Sequence, residues 1–150
     1  MQQLRNKVFK RVKPKQMNGR LLSGRMFLEL CQAYTASINT GSVPSIEGAW
    51  TSLCKNENLR AIKQAISGYE RLMEAACFSD GVIEYSELKV ANKRVTAEVI
   101  AGFRTNAFGD DLSAIVTKIE QEIVTKYKAI KTKILRTYER QLKQMLAPFI

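Results

Sequence analysis

The sequence predicts an all-α fold, an elongated bundle of about four helices with a long C-terminal helix. Three observations lead there. Only 3 Pro and 8 Gly interrupt the 150 residues, whereas an all-β chain needs turn signals about every 8–12 residues. Apolar residues recur at steps of three and four over long stretches, the period of a helix that buries one face. With 45% apolar residues, the chain can bury a core without disulfides or metals, and its length suits one domain.

Residues 1–22 show no helical period. Val8, Phe9 and Val12 are interspersed with Lys and Arg in a strand-like pattern that Pro14 stops. The segment reads as a linker or the remnant of a neighbouring domain. The first helix is predicted from about Ser23 to Asn39, with Met26, Phe27, Leu30, Tyr34 and Ile38 on one face. Gly41 ends it, and Pro44 opens the second helix.

Glu47 falls in the first turn of that second helix, where a negative charge suits the N-terminal pole. Ile46, Trp50 and Leu53 share a face. The polar run Lys55, Asn56, Glu57, Asn58 is a place for the helix to kink or split. The stripe resumes at Ile62, Ala65, Ile66, Tyr69, Leu72, Met73 and Ala76, up to about Cys77, and Ser79-Asp80-Gly81 closes it. The third helix spans roughly Ser86 to Asn106, with Ser86 as N-cap and Leu88, Ala91, Val95, Val99 and Phe103 as its stripe. Gly102 beside the stripe would allow close helix approach, at a cost of about 1 kcal/mol against Ala. Phe108-Gly109-Asp110 marks the next turn.

In the fourth helix Leu112, Ile115, Ile119, Ile123, Tyr127, Ile130, Ile134, Tyr138, Leu142 and Met145 keep the period until Pro148. At 1.5 Å per residue it is about 55 Å long, against about 25–30 Å for the first and third helices. Either the second helix is unbroken and nearly as long, or the end of the fourth protrudes. In the latter case Ile134, Tyr138 and Leu142 form an apolar seam for self-association, covered by a second copy or by a following helical segment.

Charge is uneven. Residues 1–25 carry eight Lys/Arg and no acid, residues 26–125 nine basic and thirteen acidic side chains, and residues 126–150 seven basic and one acidic. Two basic ends flank a mildly acidic body, giving +10 in all. Such ends attract nucleic acid, acidic lipid or an acidic protein surface, or they are solvated faces held against the acidic body. On the last helix Lys126, Lys128, Lys131, Lys133, Arg136, Arg140 and Lys143 form a candidate anion-binding patch. Tyr127 and Tyr138 interleave with it, but they lie on the apolar stripe, which favours burial over base stacking.

Enzyme chemistry is hard to find. There is no His, no phosphate-cradling Gly-rich loop and no metal-ligand spacing. Glu84 with Glu87 and Asp110 with Asp111 sit at predicted helix starts, where acids are expected for structural reasons. Cys31, Cys54 and Cys77 read as small hydrophobes within helices, and an odd count without a secretory signal points to a reducing compartment. No apolar run reaches the roughly 20 residues of a membrane span. The residues alone therefore give a basic helical bundle with no catalysis and no cofactor or metal of its own. Its rival readings are an interaction domain and a binder of nucleic acid or anionic membrane.

The stretch Tyr34, Ile38, Asn39, Gly41, Val43, Pro44, followed by Ser45-Ile46-Glu47-Gly48-Ala49-Trp50, resembles the junction between the first two helices of the helical domain in guanylate-binding proteins, large GTPases related to dynamin. Arg11 to Lys15 is similar to the linker after the GTPase domain in plant and protist members, and Leu22-Ser23-Gly24 to the entry of the first helix. Tyr69 and Met73 look like the later half of the second helix, and Glu98-Val99-Ile100 with Phe103 like the end of the third. The likeness covers about residues 8 to 125.

The resemblance implies residues 1–22 as linker from a GTPase domain, with Lys13, Pro14 and Lys15 in it, and residues 23–150 as the helical bundle domain. It implies Asn39, Gly41 and Pro44 as a helix junction. It further implies a lever passing nucleotide-driven changes, with GTP and Mg bound by the parent's GTPase domain. The implied partners are that same-chain GTPase domain, a second copy and anionic membrane, with nucleic acid ranked behind them. The implied location is cytoplasmic, with membrane association in the parent.

Overall fold

The computed structural model describes residues 13–17, 19–43, 45–109 and 112–147. Four α-helices follow a short antiparallel hairpin, so the all-α class and the long last helix are as expected. The chain divides into two compact units, Met1–Leu53 and Cys54–Ile150.

In the first unit, β1 (Gln16–Met17) pairs with β2 (Arg20–Leu21), placing Gln16 opposite Leu21 and Met17 opposite Arg20. The N–H of Leu22 donates to the Lys15 carbonyl at 2.8 Å. Gly19 takes φ +74°, the left-handed conformation that tight hairpin turns demand and glycine adopts freely. The expected strand-like pattern at Val8, Phe9 and Val12 lies outside the described residues.

Helix α1 (Gly24–Asn39) starts at Ser23, whose Oγ accepts from the Met26 N–H at 3.2 Å. It ends in a Schellman motif: the Gly41 N–H donates to the Ile38 carbonyl and the Ser42 N–H to Ser37, both at 3.0 Å. Gly41 has φ +70°, so it fills the left-handed position. Met26 and Leu30 are buried, but Phe27 and Ile38, expected on the same face, are 49% and 66% exposed. Ala33, the expected Tyr34 and Ser37 are half-buried, so the covered row runs through Met26, Leu30, Ala33 and Ser37 in steps of four, three and four, with Tyr34 beside it. Its last members are too small to signal a hydrophobic face.

Helix α2 (Ile46–Phe78) has 33 residues and is unbroken through Lys55–Asn58. Ser45 caps its start, accepting from the Gly48 N–H at 3.0 Å; Pro44 lies outside the described residues. Within the polar run, two side chains have partners. Glu57 pairs with Arg60 one turn on, and Asn58 bonds away from its own backbone.

The second unit packs three helical segments round one core. The α2 portion supplies Ala61, Ala65, Tyr69, Met73 and Cys77, a line at four-residue steps. Helix α3 (Tyr85–Asn106) supplies Leu88, Ala91, Val95, Val99 and Phe103, the predicted stripe in full. Its N-cap is Glu84, not Ser86; Ser86 lies in the first turn, with its Oγ 3.4 Å from Glu84 Oε2. Helix α4 (Ser113–Leu146) supplies Val116, Ile119, Ile123 and Ile134, with Tyr127, Ile130 and Tyr138 packed alongside. Both alternatives for its length hold in part. Helix α2 is nearly as long as the 34-residue α4, yet every α4 residue from Glu139 to Leu146 is exposed.

Candidate interaction surfaces

Lys13, Pro14 and Lys15 are exposed and precede the hairpin without regular structure. Asn39 is the last residue of α1, and Gly41 makes the turn described above.

The expected seam is divided. Ile134 is 0% exposed and belongs to the core of the second unit, so it is not available to a partner. Tyr138 is half-buried, and its hydroxyl donates to the Ile83 carbonyl at 2.6 Å, tying α4 to the turn between α2 and α3. Leu142 is 58% exposed. The exposed apolar face consists of Leu135, Leu142, Met145 and Leu146, with the rim of Tyr138. Leu135, Tyr138, Leu142 and Met145 follow steps of three and four, the spacing at which one helix meets another. Sequence reading passed over Leu135 because it adjoins Ile134. Position along the stripe could not tell which of the two faces inward.

The basic residues of α4 do not act as one patch. Lys126 lies 2.6 Å from Glu70, and Lys133 pairs with Glu74, so both bridge α4 to α2. The hydrogen bond to Glu70, with that carboxylate's charge, holds the Lys126 ammonium above its ordinary pKa. Lys133 also sits over the Phe78 ring at 4.4 Å. Lys131 lies 5.5 Å from the centre of the Tyr85 ring and 6.0 Å from that of Tyr127, and the Tyr85 hydroxyl raises its pKa. Lys128, Arg136, Arg140 and Lys143 are exposed, and the last three share a face at steps of four and three.

Shallow grooves lie on the second unit. One, of about 190 Å³ between α2 and α3, is floored by Ala61, Ala65, Gly68 and Gly102. Gly102 therefore faces open space: a Cβ there, or at Gly68, would meet nothing within 4 Å, so it does not serve close helix packing. Another, of about 180 Å³, lies beside the Glu70, Glu74, Lys126 and Lys133 ion pairs. Cys77 is buried, and Cys31 and Cys54 are half-buried. Burial, then the neighbouring Glu74, pushes the Cys77 thiol up, with Lys133 opposing. Among the described residues no helix is long and apolar enough to cross a membrane.

This is an all-helical domain with an exposed helix end, and its sequence relationships say of which kind. The family described as "Guanylate-binding protein, C-terminal domain" matches residues 18–147, and the chain belongs to that family. It is 31% identical over 94 residues to guanylate-binding protein 3 of Mus musculus, a match covering 62% of this chain and 15% of that protein. To guanylate-binding protein 2 of the same species it is 29% identical over 108 residues, 72% of this chain and 18% of that one. To guanylate-binding protein 4 of Homo sapiens it is 29% identical over 122 residues, 79% and 19% respectively. The matched stretch thus spans less than a fifth of the length of these relatives.

Proposed function

We propose that the chain is the mechanical part of a guanylate-binding-protein-like large GTPase. It transmits nucleotide-driven changes and mediates interdomain contact or self-assembly, without catalysis of its own. GTP and Mg are bound by the parent's GTPase domain, to which residues 1–22, with Lys13, Pro14 and Lys15, are the linker. The observation that carries this reading is the family match over residues 18–147. The unbroken α2 supports it, since a continuous helix transmits displacement along its length.

Self-assembly uses the exposed face of α4 at Leu135, Leu142 and Met145. The parent is cytoplasmic and associates with membranes. The test is to add the chain to the parent's GTPase domain and measure nucleotide turnover. Stimulation that the Gly41→Val variant weakens supports the lever; equal turnover with and without the chain removes it.

A second reading rests on Arg136, Arg140 and Lys143, which share one exposed face: a basic helical surface that binds anionic membrane or nucleic acid. Saturable binding with a defined site size on single-stranded nucleic acid, or on vesicles of anionic lipid, would favour it over the lever.

A further inference from the structure

Helix α1 carries a second row, each member one position on from its covered one. Phe27, Cys31, Tyr34 and Ile38 follow steps of four, three and four. Cys31 and Tyr34 are half-buried, while Phe27 and Ile38 are exposed. The two charged residues of α1, Arg25 and Glu29, lie on the opposite side of the helix.

The row belongs to a wider stretch without charge. Residues 30–46 hold no Lys, Arg, Asp or Glu, in a chain that is 25% charged. A solvated face is where charge normally collects. Exposed aromatic and aliphatic side chains without charge have instead the composition found at the centre of a protein–protein contact. Nucleic acid and anionic lipid are poor occupants, because both are held by Lys and Arg.

The charge of the whole chain points to the occupant. At +10, two copies repel each other in most orientations. The α1 row lets them meet with no like charges in the contact. Its steps read the same in both directions, so an antiparallel pair sets Phe27 against Ile38 of the second copy and Cys31 against Tyr34. Residues 1–25 hold eight Lys/Arg and no acid. Antiparallel order sends these basic segments to opposite ends of the contact, whereas parallel order brings them together. The helix dipoles favour the same choice.

We propose that α1 pairs antiparallel with α1 of a second copy along Phe27, Cys31, Tyr34 and Ile38. The helix is about 24 Å long, so the contact is small and the dimer weak. This goes beyond the functional reading above, which puts self-assembly on α4, and stands whether or not that reading holds.

The test is sedimentation of the whole chain from about 5 μM to about 500 μM, at about 0.1 M and about 0.5 M salt. The average mass should rise from 17.0 kDa toward twice that value, and rise further at the higher salt, where the net charge is screened. The rise should persist in Leu142→Asp. Phe27→Glu and Ile38→Lys should each weaken pairing at least about tenfold. The double variant should pair at least about threefold more tightly than either, because antiparallel order sets the new carboxylate against the new ammonium.

A mass of 17.0 kDa at every concentration would overturn the pairing. So would a rise that Leu142→Asp alone abolishes, since the contact would then lie on α4, or one that salt suppresses, since it would then rest on ion pairs. A double variant weaker than both single ones would overturn the antiparallel order. Far-UV dichroism checks that each variant keeps its helices. Should Phe27→Glu not fold, Ile38→Lys, at a position 66% exposed, carries the decision on the pairing.

Discussion

The Tyr69 hydroxyl donates to Asn92 Oδ1 at 2.6 Å, from a side chain with no exposed surface. It joins α2 to α3 through the middle of the core, where an unpaired phenol would be costly. Burial first, then Tyr127 and Cys77 nearby, pushes its pKa from 10.0 up to about 12.

Tyr69→Phe should lower stability by about 1 kcal/mol in denaturant titrations at pH 7. The pH dependence has a definite sign. Above pH 10 the unfolded phenol loses its proton while the folded one keeps it, so the unfolded state holds fewer protons and stability falls as pH rises. The contribution is complete below about pH 10 and lost by about pH 12. The variant should lack this part of the alkaline decline, and an identical decline in both proteins would count against it.

Ile134 and Leu142 lie two turns apart on one helix and should behave oppositely. Ile134→Ala removes a fully buried side chain and should cost about 2–5 kcal/mol. Leu142→Asp changes an exposed position and should stay within about 0.5 kcal/mol. Chemical unfolding of the two variants decides it, and light scattering of Leu142→Asp reports on self-association separately.

Gly41→Val forces a β-branched side chain to φ +70°, and should cost about 1 kcal/mol or more. Gly41→Asn tolerates that conformation better and should cost less. The comparison is made on the exchange of the last-turn amides of α1, since the motif binds there.

Gly68→Ala and Gly102→Ala should each stabilise the second unit, by about 0.5–1 kcal/mol. Both glycines lie inside helices, and an added methyl meets nothing. A rise in thermal midpoint for each variant is the expected result. A fall would mean that the groove they floor closes more tightly than its open space indicates.

Much of the second unit was legible because its buried rows use large residues. Leu88, Val95 and Phe103 announce α3, and Ile119 and Ile123 announce α4. The end of the core was not legible. Ile134 and Leu142 obey one period, and a period reports that a helix has an apolar face, not what covers it.

The hairpin was within reach, since Asn18-Gly19 is a turn signal that outweighs the missing long strand. The pairing of Lys126 and Lys133 with Glu70 and Glu74 was beyond reach, because it depends on the register between α4 and α2. Asn58 looked like a helix breaker, but in the unbroken helix its side chain bonds to a residue fifty positions away.

A protease that cut after Arg140 would remove, among the described residues, no buried one from the second unit. The trimmed chain would keep Ile134, the Tyr138 hydroxyl bond and both lysine bridges to α2. Its melting should scarcely differ from that of the parent chain. Folding places no demand on the described residues of those last turns, so Leu142, Lys143, Met145 and Leu146 are free to change with whatever surface they meet.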